Sequence, residues 1–149
     1  MTTPETPRRF EPPAGDESAP FWEATREGAL LLQWCTACDR AIFYPRSFCP
    51  HCGADGTALS WRPASGRATV HAAVVETRPE AAGAAFSGGE PYCVALVDLD
   101  EGVRMMSNVI GCPPAEVRSG MAVEVAWEPL SDGRQLPLFR PAGQTEAGR

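Results

Sequence analysis

The chain has 149 residues and a formal net charge of −6 at neutral pH, and all 13 of its basic residues are arginine. This length allows one domain with a small appended module, and the acidic balance disfavours partners held mainly through phosphates, such as duplex DNA. No apolar run approaches the roughly 20 residues that a membrane span needs, and the N-terminus lacks the apolar core of a signal peptide. The sequence therefore predicts a cytoplasmic protein.

Both ends of the chain have the composition of unfolded tails. Residues 1–17 read MTTPETPRRFEPPAGDE, rich in proline and with almost nothing to bury, and the end of the chain reads AGQTEAGR. Such segments cannot bury enough apolar surface to offset the entropy of ordering them. We expect a disordered arm over 1–17 and a disordered tail over 142–149.

A short helix is expected to follow the arm. Ser18 suits the N-cap, Pro20 the first turn, and Gly28 the end of the helix. A helix this short is marginal alone and must pack on something. Its adjacent aromatic residues, Phe21 and Trp22, point about 100° apart. One ring is therefore expected to pack on the chain itself, which leaves the other for a partner protein.

Two C-x-x-C pairs, Cys35/Cys38 and Cys49/Cys52, carry the strongest signal in the sequence. Two such pairs supply the four thiolates of a tetrahedral structural zinc site, with no position open for a catalytic water. Iron in the same cage is the alternative. A redox C-x-x-C would need only one pair and a thioredoxin-like setting. We expect the helix and zinc ribbon to span residues 18–61, with Asp39 and Gly53 in left-handed turns after each pair.

Residues 62–141 alternate between strand-like runs and turn signals. Five runs are separated by turns: GRATVHAAVVETR from Gly66, PYCVALVDLD, VRMMSNVIG, MAVEVAWEP and LPLFR, with a helical turn from Pro113 between the third and fourth. This layout is typical of an OB-fold. Four alternating residues of the fourth strand are expected to face inward: Met121, Val123, Val125 and Trp127. The predicted fold is therefore mainly β: a short helix, a rubredoxin-like zinc ribbon and a five-stranded OB-fold barrel.

The quoted segments, together with the motifs YPR, SGR and FRP, resemble the acyl-CoA-associated zinc-ribbon/OB-fold family, long catalogued as a domain of unknown function. The resemblance runs from about Phe21 to Ala142. One departure is Asp39, where the family usually has glycine, but Asp39 is not a metal ligand.

The resemblance implies a companion subunit of thiolase-like enzymes. In this family the partners are thiolases or thiolase homologues that act as retro-aldolases on steroid side-chain CoA esters, and some members pair with MaoC-like hydratases. The catalytic residues would lie on the partner. Acyl-CoA is a further candidate ligand, because its phosphates and pantetheine arm suit arginines beside an apolar groove. The candidates for anion contacts are Arg40, Arg46 and Arg67, and the candidates for partner contacts are Phe21 and Trp22.

Two other function classes compete with this interpretation. Zinc ribbons and OB-folds also bind single-stranded nucleic acid, but from Arg62 to Pro141 there are seven arginines against ten acidic residues, and the middle strands offer only Tyr92 for stacking. A self-sufficient hydrolase or transferase would use Cys93 or Cys112 as nucleophile, yet no histidine neighbours either in sequence. The sequence also lacks a phosphate-binding glycine loop and a nucleophile elbow. The sequence therefore favours an accessory subunit over a nucleic-acid-binding protein or a self-sufficient enzyme.

Overall fold

The protein is mainly strand, as predicted, and its computed structural model describes residues 11–77 and 89–144. The elements, in chain order, are α1 Ala19–Thr25, β1 Leu31–Cys35, β2 Arg40–Ile42, β3 Leu59–Pro63, β4 Arg67–Glu76, β5 Tyr92–Leu99, β6 Arg104–Val109, β7 Ala122–Pro129 and β8 Gln135–Pro141. Short 3₁₀ turns precede α1 and β3, and a third lies between β6 and β7. Within these residues no helix has the length and apolar character needed to cross a membrane.

The helix α1 packs by one face and closes with a left-handed glycine. Phe21 and Thr25 are its buried residues, and Gly28 adopts a φ of +69° just beyond its end. Ser18 occupies the N-cap position without capping α1. Its hydroxyl instead donates to the Gly15 carbonyl at 3.0 Å, within the preceding 3₁₀ turn.

The ribbon is a three-stranded antiparallel sheet in the order β2-β1-β3. The pairing of β1 with β3 runs from Cys35↔Leu59 to Leu31↔Pro63. The sequence analysis did not identify β3, and this strand crosses the boundary expected between residues 61 and 62. Residues 64–66 then lead into β4 of the barrel, with Gly66 at a φ of +79°.

The barrel is closed in the order β4-β5-β6-β8-β7, which confirms the predicted five-stranded OB-fold. Closure comes from a parallel contact between β6 and β8 at Val109↔Phe139. The first strand of the barrel, β4, has an irregularity in its register with β5 between Val70 and Ala72, as expected for a bent strand. Of the four residues expected to face inward, Val123 of β7 is fully buried, while Val125 and Trp127 of β7 and Met121 just before it are half-buried against the core.

One hydrophobic core joins the helix, the ribbon and the barrel. Its buried residues include Leu30 and Leu32 of the ribbon as well as Val97 and Phe139 of the barrel. A second, smaller cluster surrounds Ile42 and two of the cysteines. The ribbon is therefore attached to the barrel through shared apolar packing.

The segment before α1 contacts the turn between β7 and β8. The Ser131 backbone N–H and hydroxyl each donate to the Glu11 carboxylate at 2.7 Å, and Arg134 Nη1 donates to the Pro12 carbonyl at 2.9 Å. These bonds lie within the arm expected over 1–17, whose residues 1–10 are outside the described part of the chain. The expected tail is described only as far as residue 144.

Candidate metal centre and junction cavity

Four cysteine side chains converge at the end of the ribbon. Cys35 is the last residue of β1, and Cys38 lies in the turn to β2. Cys49 and Cys52 lie in the loop that leads to β3. Asp39 (φ +56°) and Gly53 (φ +78°) both adopt the left-handed conformation expected after each pair.

The spacing of the sulfur atoms fits a tetrahedral metal ion. All four Sγ atoms lie within 4.8 Å of one another, and the pairs Cys35–Cys52 and Cys38–Cys49 are each 3.7 Å apart. Zinc–sulfur bonds of about 2.3 Å at tetrahedral angles place sulfurs about 3.8 Å apart. The four cysteines are thus positioned to hold the predicted structural zinc.

Backbone N–H groups point at the sulfur of Cys49. The His51 N–H donates to Cys49 Sγ at 3.4 Å. Burial raises the pKa of the Cys49 thiol, but hydrogen bonds from the backbone N–H groups of Cys52 and His51 and from the Cys35 and Cys38 thiols together lower the pKa below its usual value. Burial, followed by hydrogen bonds with the other thiols, raises the pKa of Cys38. Such a set gathers four thiolates only when a cation balances their charge.

Asp39 has partners of its own. Trp34 Nε1 donates to Asp39 Oδ1 at 2.9 Å, and Arg62 Nη1 lies 3.4 Å from the same oxygen. The Arg62 guanidinium also stacks 4.6 Å above the Trp34 ring. The Asp39 carboxylate therefore joins the turn after the first cysteine pair to β1 and β3, a contact that sequence reasoning did not find.

The three candidate anion-binding arginines occupy separate places. Arg40 and Arg46 are exposed on the ribbon, and the backbone of Arg46 is fixed by Gln33, whose side chain bonds both its N–H and its carbonyl at 2.8 Å. Arg67 opens the barrel, with its Nε 3.1 Å from Asp100 Oδ2. The structure thus separates Arg67, which already has a carboxylate partner, from the two ribbon arginines.

The two adjacent aromatics of α1 have different environments. Phe21 is 5% exposed and belongs to the core. Trp22 is half-buried: it meets the Phe21 ring edge-on at 5.1 Å, and Arg134 stacks 4.9 Å above it. The Phe21 ring is therefore covered by the chain itself, and Trp22 is the ring that stays partly accessible.

Trp22 borders an apolar cavity where α1, the ribbon and the barrel meet, which we call the junction cavity. Its volume is about 230 Å³. The lining comes from all three parts of the fold, namely Pro12, Phe21, Trp22, Phe43, Tyr44, Met105, Met106, Ser107, Asn108, Leu136, Pro137 and Leu138. Met105 is buried and Met106 is 62% exposed, so the pair faces opposite sides of β6, as predicted.

The remaining thiols and imidazoles do not form a nucleophile–base pair. Burial raises the pKa of both Cys93 and Cys112. His71 Nδ1 lies 3.0 Å from Arg104 Nη2, and His51 Nε2 lies 3.1 Å from the Ala41 carbonyl. Neither contact joins a histidine to Cys93 or Cys112.

This geometry defines a protein with a four-cysteine zinc ribbon fused to an OB-fold barrel. Two family models match it: the rubredoxin-like zinc ribbon domain of ChsH2 over residues 22–58 and the C-terminal OB-fold domain of ChsH2 over residues 61–128. A DUF35 domain-containing scaffold protein of Methanothermobacter thermautotrophicus is 31% identical over 66% of this chain and 71% of its own length. The chain belongs to the DUF35 family.

Its longer relatives are enzyme subunits by name. A probable enoyl-CoA hydratase alpha subunit of Thermomonospora curvata is 35% identical over 94% of this chain. The 3-oxo-4,17-pregnadiene-20-carboxyl-CoA hydratase alpha subunit of Mycobacterium tuberculosis is 31% identical over 80% of it. The chain spans only 43% and 40% of these two relatives.

A solved structure matches most of this chain. A chain of the Ltp2–ChsH2(DUF35) aldolase superposes with a TM-score of 0.76 and 33% identity, covering 89% of this chain and 99% of that one. Homologues of this chain thus include subunits of hydratases and of an aldolase.

Proposed function

We propose that this chain is a non-catalytic, zinc-stabilised subunit of a thiolase-like enzyme acting on CoA esters, and that it contacts the acyl-CoA. The observation that carries the proposal is its similarity to a chain of the Ltp2–ChsH2(DUF35) aldolase over 99% of that chain's length.

The environment of the candidate nucleophiles supports a non-catalytic role. Thiols become nucleophilic when neighbours lower their pKa, whereas burial raises the pKa of Cys93 and Cys112. A hydrolase would also need a base within hydrogen-bond reach of its nucleophile. In the described residues, both histidines contact other groups instead.

The substrate class in this proposal is a CoA ester with a lipid or steroid side chain. The Mycobacterium tuberculosis relative is named for a pregnadiene carboxyl-CoA ester, and the sequence resembles companions of retro-aldolases on such esters. None of the six cysteines forms a disulfide, which suits a reducing cytoplasm, where we place the complex.

Recovery of the tagged chain from its native host tests the class of the partner. We expect a thiolase-like subunit in near-stoichiometric amount, identified by mass spectrometry. The isolated chain should show no turnover of CoA esters, and the partner should gain activity or stability from it. Robust hydrolysis, thiolysis or retro-aldol cleavage by this chain alone would refute the proposal, and recovery of a hydratase instead would change the enzyme class.

Contact with acyl-CoA is tested on the complex. Arg40→Ala and Arg46→Ala should weaken CoA binding, because each removes an exposed cation from the ribbon. Arg118→Ala is the matched control, since Arg118 is an exposed arginine on the barrel. If all three variant complexes bind CoA as tightly as the wild-type complex does, the partner alone holds the CoA.

A further inference from the structure

The barrel carries apolar side chains on its outside, where strands β4, β5 and β6 lie side by side. In β5, residues Cys93, Ala95, Val97 and Leu99 are buried, while the outward residues are Tyr92, Val94, Leu96 and Asp98. An antiparallel sheet with one face in water normally alternates apolar with polar residues. Here three of the four outward side chains are apolar or aromatic. Strands that read as continuous apolar runs are typical of sheets covered on both faces.

The strand register gathers these side chains into one patch. Leu96 pairs with Ala72 on one side and with Met106 on the other. Val94 pairs with Val74 and with Asn108 in the same way. Val74 is 69% exposed and Met106 is 62% exposed. We call this patch the outer face; its apolar members are Ala72, Val74, Val94, Leu96 and Met106.

The outer face is continuous with the junction cavity. Met106, Ser107 and Asn108 line that cavity, and the same three residues line a second depression with Tyr92 and Val94. An apolar strip therefore runs from Tyr44 of the ribbon across β6 to Val74 on β4. The strip crosses both parts of the fold on one side of the molecule.

We propose that the outer face and the junction cavity together form the docking surface for the enzyme subunit, a protein of different sequence with an apolar contact surface. This inference rests on the proposed function and adds the location of the interface. Three strands about 4.8 Å apart, with three outward positions about 6.7 Å apart, give a patch of about 300 Å². A standard interface needs about 800 Å² on each side, so the partner must also cover the ribbon side of the strip.

Charge distinguishes this partner from a second copy of the chain. The Tyr92 end of the outer face is bordered by Glu76, which pairs with Tyr92 in register, and by Glu90. The opposite end carries Asp98, whose carboxylate is paired with Arg104. Two copies of the chain, each with a net charge of −6, repel each other, which disfavours self-association. The partner is therefore a chain of different sequence whose contact surface is apolar.

Matched glutamate substitutions test the inference against the subunit recovered with the wild-type chain. Ala72→Glu and Val74→Glu place a charge on the outer face, whereas Ala122→Glu places the same charge on an exposed position of β7 outside it. Because an unpaired charge is costly to bury, Val74→Glu should weaken binding to the purified enzyme subunit by about tenfold or more in titration calorimetry. Ala72→Glu should act in the same direction, and Ala122→Glu should bind as the wild type does. Zinc content and thermal unfolding should be unchanged in all three.

The outcomes separate this inference from the proposed function. If the wild-type chain binds the subunit and the outer-face variants bind it equally well, the inference is wrong and the accessory role stands. If no enzyme subunit binds the wild type, both fail. A wild-type dimer in sedimentation that Val74→Glu dissociates would assign the outer face to a second copy. Loss of acyl-CoA binding by the isolated Val74→Glu chain would assign it to the acyl group. Either result overturns the proposal.

Discussion

At the scale of single residues, the four cysteines of the metal centre differ in environment, but all four thiolates depend on the same metal cation. Cys49 is fully buried and receives the N–H of His51. Cys49→Ser removes one thiolate from a closed tetrahedral set, and in such modules metal binding and folding are coupled. We therefore expect the variant to lose zinc and the fold of the ribbon, measured by metal analysis and by amide chemical-shift dispersion.

The control for this prediction is Cys112→Ser. Cys112 is half-buried in the loop after β6, away from the four-sulfur cluster. This variant should keep one zinc per chain. Full zinc occupancy in Cys49→Ser would contradict the assignment of the ligands.

The neighbouring aromatics of α1 should respond differently to truncation. Trp22 is half-buried at the junction cavity. Truncating an aromatic residue at the centre of an interface often weakens the binding free energy of the complex by roughly 2 kcal/mol or more. Trp22→Ala should weaken the complex with the enzyme subunit while leaving zinc content and barrel unfolding nearly unchanged. Phe21→Ala should instead destabilise the fold itself by about 3–5 kcal/mol, because Phe21 is a core residue.

Calorimetric titration and thermal unfolding of both variants check these expectations. A Trp22→Ala variant that binds its partner normally would show that α1 is only a structural cap. Unfolding of the barrel in that variant would lead to the same conclusion.

At the scale of elements, the entry into β4 depends on a glycine that no other residue can replace without cost. Gly66 has a φ of +79°, and a Cβ on it would lie 2.7 Å from Val125 Cγ1. Gly66→Ala should lower the free energy of unfolding in two ways. The left-handed backbone costs about 1–2 kcal/mol, and the overpacking against Val125 costs about 1–3 kcal/mol. The variant should therefore unfold at a markedly lower denaturant concentration than the wild type.

Gly102→Ala is the matched control. Gly102 has a φ of +87°, but a Cβ there would have no atom within 4 Å. Only the backbone penalty applies, so its loss of stability should be clearly smaller than that of Gly66→Ala. Equal losses for the two variants in chemical denaturation would show that the Val125 contact contributes nothing.

The elements with strong local signals could be predicted from the sequence. Each of three signals lies within a few residues of the structure that it predicts. The paired cysteines predict the metal site, the glycine after the second pair predicts a left-handed turn, and the alternation from Met121 to Trp127 predicts β7. The strand β3 was missed because its run of five residues, LSWRP, is short and ends in a proline. The outer face was also missed, because it depends on the register that brings Val74 beside Val94.

Contacts between distant segments could not be predicted from the sequence either, because they depend on how the chain folds. Composition indicated an unfolded arm before α1, and it contained nothing to indicate that Glu11 receives two hydrogen bonds from Ser131. The junction cavity likewise joins residues of the ribbon and the barrel that only the folded chain brings together. Local pattern predicts elements, whereas surfaces between elements require the three-dimensional structure.

At the scale of the whole molecule, the ribbon and the barrel should behave as one cooperative unit. Leu30 and Leu32, both buried, belong to the same core as Val97 and Phe139. Removing zinc frees the ribbon to unfold and so exposes part of that shared core. A loss of about 2 kcal/mol lowers the unfolding temperature by roughly 10 °C in a domain of this size. We therefore expect chelation to shift the unfolding of the barrel, followed by near-ultraviolet circular dichroism, to lower temperature.

Adding zinc back after chelation is the control, and it should restore the original transition. Calorimetry should show a single transition in the zinc-bound chain, because the shared core couples the two parts. A barrel transition at the same temperature with and without chelator would mean that the barrel is stable alone. In that case Leu30 and Leu32 would contribute to the ribbon only, and zinc would position the docking surface without stabilising the barrel beneath it.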